Sequence, residues 1–187
     1  MIPVSDVVGP CYFLSETALA LFKRARTGPG GSKDRGSFRV LLIVIWLSVM
    51  TAYQFEFALP QTGWRPIPWV NVLGVATMLG GLAIRWYSIV YLGRFFTVNV
   101  AIIADHQLID SGPYRRVRHP SYTGALLAFL GLAICMQNWA SLLILMTGTT
   151  AAFLYRMHVE EGALTIAFGE RYRQYMQRTA RLIPGVY

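Results

Sequence analysis

The stretch YTGALLAFLGLAICMQNWASLLILMTGTTAAFLY, residues 122–155, carries no charged side chain over its whole length. A helix that crosses a hydrocarbon core of roughly 30 Å needs about 20 mostly apolar residues. The stretch is too long for one ordinary span, and Gln137 and Asn138 interrupt it near its middle. It predicts a tight helical hairpin with arms over 122–136 and 138–155. The first arm is short enough to tilt or to span only in part. The run Thr147-Gly148-Thr149-Thr150 suits close contact between helices.

Working toward the N-terminus, residues 68–92 read as another span. Gly74, Gly80 and Gly81 offer small surfaces for a neighbouring helix, and Arg85 comes late enough to snorkel to the nearer interface, the alternative being a substrate-facing role. Residues 38–59 read as a stronger span, with the uncharged centre LLIVIWLSVMTAYQF at 41–55. Pro60, Gly63, Pro66 and Pro68 enforce a short non-helical connection between the two. Trp64 and Trp69 flank it as interfacial aromatics. A weaker first span runs over 7–22, broken by Pro10, Ser15 and Glu16. No basic region precedes it, so it does not read as a signal peptide.

Composition agrees. Of the 187 residues 55% are hydrophobic and 14% charged, where a soluble domain carries about 25% charged residues. The net charge of +8 would suggest nucleic acid in a soluble protein. Here it is better read as basic loops beside an anionic leaflet, with no nucleic-acid partner. Six basic residues and one acid lie between Lys23 and Arg39, four arginines between Arg94 and Arg118, and five from Arg156 onward; the connection after Leu59 has only Arg65. The positive-inside rule puts the three basic regions in the cytoplasm, and the 60–68 connection and the N-terminus outside. Five crossings satisfy this pattern. The expected fold is therefore an all-α integral membrane protein, a single domain over 1–187. Cys11 and Cys135 lie in apolar stretches and read as small buried hydrophobes.

Two polar motifs flank the hairpin. The first is Gly112-Pro113-Tyr114-Arg115-Arg116-Val117-Arg118-His119-Pro120-Ser121-Tyr122, preceded by a moderately apolar piece over 95–103 and a polar turn at Asp110 and Ser111. Pro120 suits the first turn of the following helix, where its missing N–H is harmless, so His119 would sit just before that helix at the membrane boundary. On one reading the arginines touch lipid phosphates; on the other the tyrosine rings and His119 line the mouth of a cofactor pocket. The second motif is Tyr155-Arg156-Met157-His158-Val159-Glu160-Glu161. Arg156 and Glu160 are four apart and share a helix face. They could form a partly buried ion pair or present a guanidinium fork to an anionic substrate. Ionisable groups at membrane depth point to function. In the tail, Phe168-Gly169 marks a turn between amphipathic helices, and Leu164, Phe168, Tyr172 and Tyr175 have the spacing of a packing face. The three histidines do not stand at metal-ligand spacing, and neither HExxH nor paired cysteines occur, so no metal is expected. The GPGG at 28–31 lacks the context of a phosphate loop.

Taken together, GPYRRVRHPSYTG (112–124) and YRMHVEEGALTIAFGERYRQY (155–175) resemble the isoprenylcysteine carboxyl methyltransferase family. That family belongs with the integral-membrane methyltransferases that include phospholipid N-methyltransferases. The resemblance covers about half the chain, from Leu92 onward, and is similar to a minimal prokaryotic form. It implies a membrane bundle that binds S-adenosylmethionine in a cytoplasm-facing pocket capped by the C-terminal helices, with residues 92–187 as the cofactor-binding and catalytic portion. It further implies cofactor contacts at Gly112, Pro113, Tyr114, Arg118, His119, Pro120 and Tyr122, and catalytic roles for Arg156, Glu160 and Glu161. The implied acceptor is lipophilic or prenylated and enters from the bilayer of a prokaryotic inner or plasma membrane. Carboxyl O-methylation is the expected reaction. Phospholipid N-methylation and a noncatalytic scaffold or lipid-binding bundle are the alternatives.

Overall fold

The computed structural model describes residues 35–64, 67–96 and 108–187, together with Val7, Gly9, Pro10, Tyr12 and Leu14. The described chain is almost entirely helical: α1 (Arg35–Ala58), α2 (Pro68–Leu92), α3 (Pro120–Met136), α4 (Trp139–Phe168) and the short α5 (Glu170–Arg178). Among the described residues, α2, α4 and the Gly36–Ala58 part of α1 are long and apolar enough to cross a membrane, and α3 is apolar but shorter, at 17 residues. The expected first span and the piece over 95–103 fall largely outside the described residues. Tyr12 is nevertheless buried against the bundle, edge-on to Phe129 with ring centroids 4.7 Å apart.

The hairpin forms where Gln137 and Asn138 predicted it. Gln137 adopts the left-handed conformation at φ 50°, which ends α3. Asn138 then caps α4, its side chain accepting from the Ser141 N–H at 3.1 Å, and its amide donates to the Leu59 carbonyl at 3.2 Å. Thr62 donates to the same Asn138 oxygen at 2.9 Å, and the Trp64 N–H donates to the Gln137 carbonyl at 3.0 Å. Trp64 and Trp139 meet edge to face at 4.5 Å. The 60–68 connection and the hairpin turn thus close the same end of the bundle.

The second arm is longer than expected. It continues without a break to Phe168, 30 residues in all, because nothing between Tyr155 and Phe168 is a helix breaker apart from the tolerated Gly162. At 1.5 Å per residue, Arg156 lies about 26 Å and Glu161 about 33 Å from Trp139 along the axis. The acid–base cluster therefore sits one hydrocarbon thickness away from the tryptophan end, inside the helix that crosses rather than after it.

Glycines set the α2–α3 contact. A Cβ at Gly81 would lie 2.5 Å from the Ala128 nitrogen and the Gly124 oxygen, and one at Gly131 would lie 2.4 Å from the Met78 nitrogen. Two backbones can approach this closely only without side chains between them. Gly74 belongs to the same seam, facing Gly131 and Cys135, whereas Gly80 faces open space, contrary to the sequence reading. A second correction concerns Arg85. It does not snorkel outward: it is buried and donates to the Ser121 carbonyl at 3.2 Å, in the first turn of α3. The α2–α3 seam is tight there, so the guanidinium turns inward toward the polar end of the bundle.

Candidate active site

Pro120 occupies the first position of α3 and His119 its N-cap, as the sequence implied. Before it, residues Gly112–Arg115 form a single 3-10 turn. Gly112 has φ +55°, a conformation that favours glycine, and it packs against the outer end of the Tyr91 ring. The turn points Tyr114 inward, where its hydroxyl donates to the Ser88 carbonyl of α2 at 3.2 Å. Pro113 is half-buried, and Arg115 and Arg116 stay exposed.

The C-terminal segment locks onto this loop. The Arg118 N–H donates to the Ala180 carbonyl at 2.8 Å, the His119 N–H to the Arg181 carbonyl at 3.1 Å, and the Ala180 N–H to the Arg116 carbonyl at 3.0 Å. The Tyr175 hydroxyl donates to the Tyr114 carbonyl at 2.7 Å. Gly169, at φ +56°, makes the turn that folds α5 back over the loop. One helix and the strap after it, residues 179–187, thus cover this loop.

The two adjacent acids have different partners. Glu161 is buried, and its Oε1 accepts from Arg118 Nε at 3.0 Å, His119 Nε2 at 3.2 Å and Arg181 Nε at 3.2 Å. Arg181 Nη2 also donates to its Oε2. An ionised carboxylate only accepts, so Nε2 is the protonated nitrogen of His119 in this arrangement. Arg118 Nη1 donates onward to the Met176 carbonyl at 2.9 Å and to the Thr179 carbonyl. Glu160, one residue earlier and half-buried, accepts instead from the Tyr122 hydroxyl at 2.7 Å. The Tyr122 ring stacks on His119, with centroids 5.4 Å apart and planes 18° apart. Arg156 is 2% exposed, donates to Ser37 of α1, and lies 6.0 Å from the Phe38 ring centroid. The structure therefore brings Tyr114, Arg118, His119, Pro120, Tyr122, Arg156, Glu160 and Glu161 to one end of the bundle, with Gly112 and Pro113 on the rim.

Two participants were missed from the sequence. Ser37 lay in what read as a basic loop; α1 begins earlier than expected and carries it to Arg156. Arg181 lay in a tail with no helical pattern, and only its isolated positive charge near the end could have marked it. The phenols of Tyr114, Tyr172 and Tyr175 are all pushed upward in pKa, foremost by burial and further by neighbouring charges that include Glu160 for Tyr114 and Tyr172. Tyr172 is 1% exposed, and its hydroxyl has no hydrogen-bond partner among the described residues.

The profile of the phospholipid methyltransferase family matches residues 69–171, more than half of the chain. The chain belongs to that family. The match begins at the second residue of α2 and ends at the second residue of α5, so it takes in the α2–α3 seam, the hairpin and both acids. Among curated relatives, protein-S-isoprenylcysteine O-methyltransferase B of Arabidopsis thaliana is 31% identical over 120 residues, 63% of this chain and 61% of the relative. The protein-S-isoprenylcysteine O-methyltransferase of Schizosaccharomyces pombe is 34% identical over 106 residues, 56% of this chain and 45% of the relative. The chain thus spans about three fifths or less of these two relatives' lengths. The solved eukaryotic intramembrane Ras methyltransferase, an isoprenylcysteine carboxyl methyltransferase, superposes with a TM-score of 0.64 at 24% identity, covering 96% of this chain and 64% of that one. The fold is accordingly that of an intramembrane methyltransferase.

Proposed function

We propose that this protein transfers a methyl group from S-adenosylmethionine to the carboxylate of a lipophilic, isoprenylcysteine-like acceptor at the membrane. The observation that carries the reading is the separation of Arg156 from the ion-pair cluster that joins the two motifs. One buried guanidinium, Arg156, sits among the membrane helices beside Ser37 and Phe38, while a polar cluster around His119 and Glu161 lies under the C-terminal strap. The names of the curated relatives support the same reaction.

The residues fit the methyl donor. The stacked His119–Tyr122 pair offers a flat aromatic face, and the acidic Glu160, bonded to the Tyr122 hydroxyl, suits a ligand that carries positive charge. Gly112, Pro113, Tyr114, Arg118 and Pro120 frame the same cluster. When bound, S-adenosylmethionine supplies an electrophilic methyl group with a neutral thioether as leaving group. The protein's share is alignment. Arg156 orients the acceptor carboxylate with its fork of donors, and Ser37 fixes the guanidinium. The carboxylate is already ionised near neutral pH, so no base is required. Tyr122 holds Glu160, which moderates the pull of Arg156 on the nucleophile. Glu161 binds the loop to the strap. On this reading residues 92–187 form the catalytic portion, completed by Ser37 from α1. The basic end of the bundle faces the cytoplasm, and the acceptor enters from the bilayer.

The family profile's own description favours a second reading, methylation of a phospholipid amine. That reaction must remove a proton from an ammonium, and Glu160 is placed to take it. Purified protein in nanodiscs, titrated calorimetrically with S-adenosylhomocysteine, tests the shared part of both readings. Saturable one-site binding is expected; a folded sample that binds none of it overturns both and leaves a noncatalytic bundle.

A further inference from the structure

We propose that the Tyr172 hydroxyl is a binding contact for the polar part of the methyl donor. The inference rests on the methyl-transfer reading and adds a residue outside both sequence motifs.

Tyr172 and Tyr175 lie three apart on one face of α5, and both rings are buried, with centroids 5.9 Å apart. As packing residues they are equivalent. Their hydroxyls are not. Tyr175 donates to the Tyr114 carbonyl at 2.7 Å, which closes α5 onto the 112–115 turn. The Tyr172 oxygen is buried and meets no hydrogen-bonding partner among the described residues. A phenylalanine would fill the same volume without stranding a polar atom. A buried hydroxyl without a partner is an exception that calls for a specific reason, such as a ligand.

The surroundings name the ligand class. Tyr172 lies one turn before Met176, whose carbonyl accepts from Arg118, and three residues before Tyr175, which bonds Tyr114, so α5 carries its ring to the polar cluster. Glu161 is engaged by Arg118, His119 and Arg181, and Arg118 Nη1 by two backbone carbonyls. A phenol in such company stays protonated, and it can either donate or accept. The direction matters as well. Tyr172 approaches from the strap side, from a helix outside the long apolar spans, next to the His119 loop. Arg156 sits instead with Ser37 and Phe38 of α1, among the long apolar helices. A lipophilic acceptor approaches from that second side. The water-soluble partner, with its ammonium, carboxylate and ribose hydroxyls, is the one that meets Tyr172.

The test compares Tyr172→Phe with Tyr175→Phe in nanodiscs, reading thermal unfolding of the ligand-free protein and S-adenosylhomocysteine affinity by calorimetry. In Y172F the free protein unfolds at the wild-type temperature or higher, because a stranded hydroxyl has been removed. Its dissociation constant for S-adenosylhomocysteine rises roughly 3–15-fold, the loss of one hydrogen bond. In Y175F the free protein unfolds at a lower temperature, because a bond present without ligand is lost. Wild-type affinity in Y172F, or a loss of free-protein stability equal to that of Y175F, overturns the assignment. An unchanged donor affinity with a raised KM for the acceptor also overturns it. Failure of the wild-type protein itself to bind S-adenosylhomocysteine overturns the methyl-transfer reading, a result distinct from wild-type binding that Y172F retains in full.

Discussion

Substituting Glu161 with glutamine keeps the shape of the side chain and removes the charge that Arg118, His119 and Arg181 share. The side chains of Glu161, Arg118 and His119 are only 8%, 11% and 4% exposed, whereas Arg181 is 26% exposed. Removing one partner of a buried ion pair costs about 3–5 kcal/mol. The neutral amide still accepts one bond, and the Arg181 contribution is partly screened by solvent. The lower part of that range applies, about 3 kcal/mol, which for a domain of this size lowers the unfolding temperature by roughly 6–12 °C. Intrinsic-fluorescence melting in detergent measures it. The Glu170–Arg173 pair is the control: its side chains are 66% and 60% exposed, so Arg173→Ala should cost no more than about 0.5 kcal/mol. E161Q should also weaken S-adenosylhomocysteine binding, because the loop and strap lose their common anchor. Glu160→Gln should instead leave melting near wild type and lower turnover. An E161Q protein that melts within a degree or two of wild type would refute the clasp.

Other consequences follow from the same geometry. Gly131→Ala should prevent folding or destabilise by about 1–3 kcal/mol or more, since its Cβ would strike the α2 backbone, while Gly80→Ala should be neutral or stabilise by up to about 1 kcal/mol; melting of both variants checks this. Asn138→Ala removes a cap and the link to Leu59 and Thr62, and should cost about 2 kcal/mol in the same assay without changing donor affinity. Arg156→Lys should lower kcat/KM for a carboxylate acceptor at least tenfold while leaving S-adenosylhomocysteine affinity intact, because an ammonium cannot replace the fork. The folded-state pKa values of Tyr114, Tyr172 and Tyr175 are raised. The stability they add is therefore full below the ordinary phenol value of about 10 and is lost as pH climbs above it. Melting temperature against pH should fall on the alkaline side for this reason, and Y172F should fall less steeply.

Much of this was legible in the residues themselves. The uncharged run over 122–155 dictated a hairpin, and Gln137 and Asn138, the polar pair within its apolar centre, dictated where it turns. Pro120 fixed the start of α3 and so the position of His119. Hydropathy could not locate the end of α4, because Arg156, Glu160 and Glu161 are good helix formers that happen to be charged. Nor could it tell two adjacent glutamates apart. Their difference arises from a 100° rotation around one helix, which turns Glu161 to the strap and Glu160 to Tyr122. Arg85 looked like a snorkelling side chain because the sequence gives its depth but not the closeness of the α2–α3 seam. Tyr172 read as packing, which its ring does perform; only the environment of one oxygen distinguishes it from Tyr175.

The central claim is methyl transfer to a carboxylate, and product analysis tests it most directly. Protein in liposomes is given methyl-labelled S-adenosylmethionine with an S-farnesylcysteine analogue, and the labelled product is treated with base. The account predicts label on the farnesylated compound, released by base as methanol, and formed at least tenfold more slowly by Arg156→Lys. Label that resists base and migrates with phospholipid would contradict it.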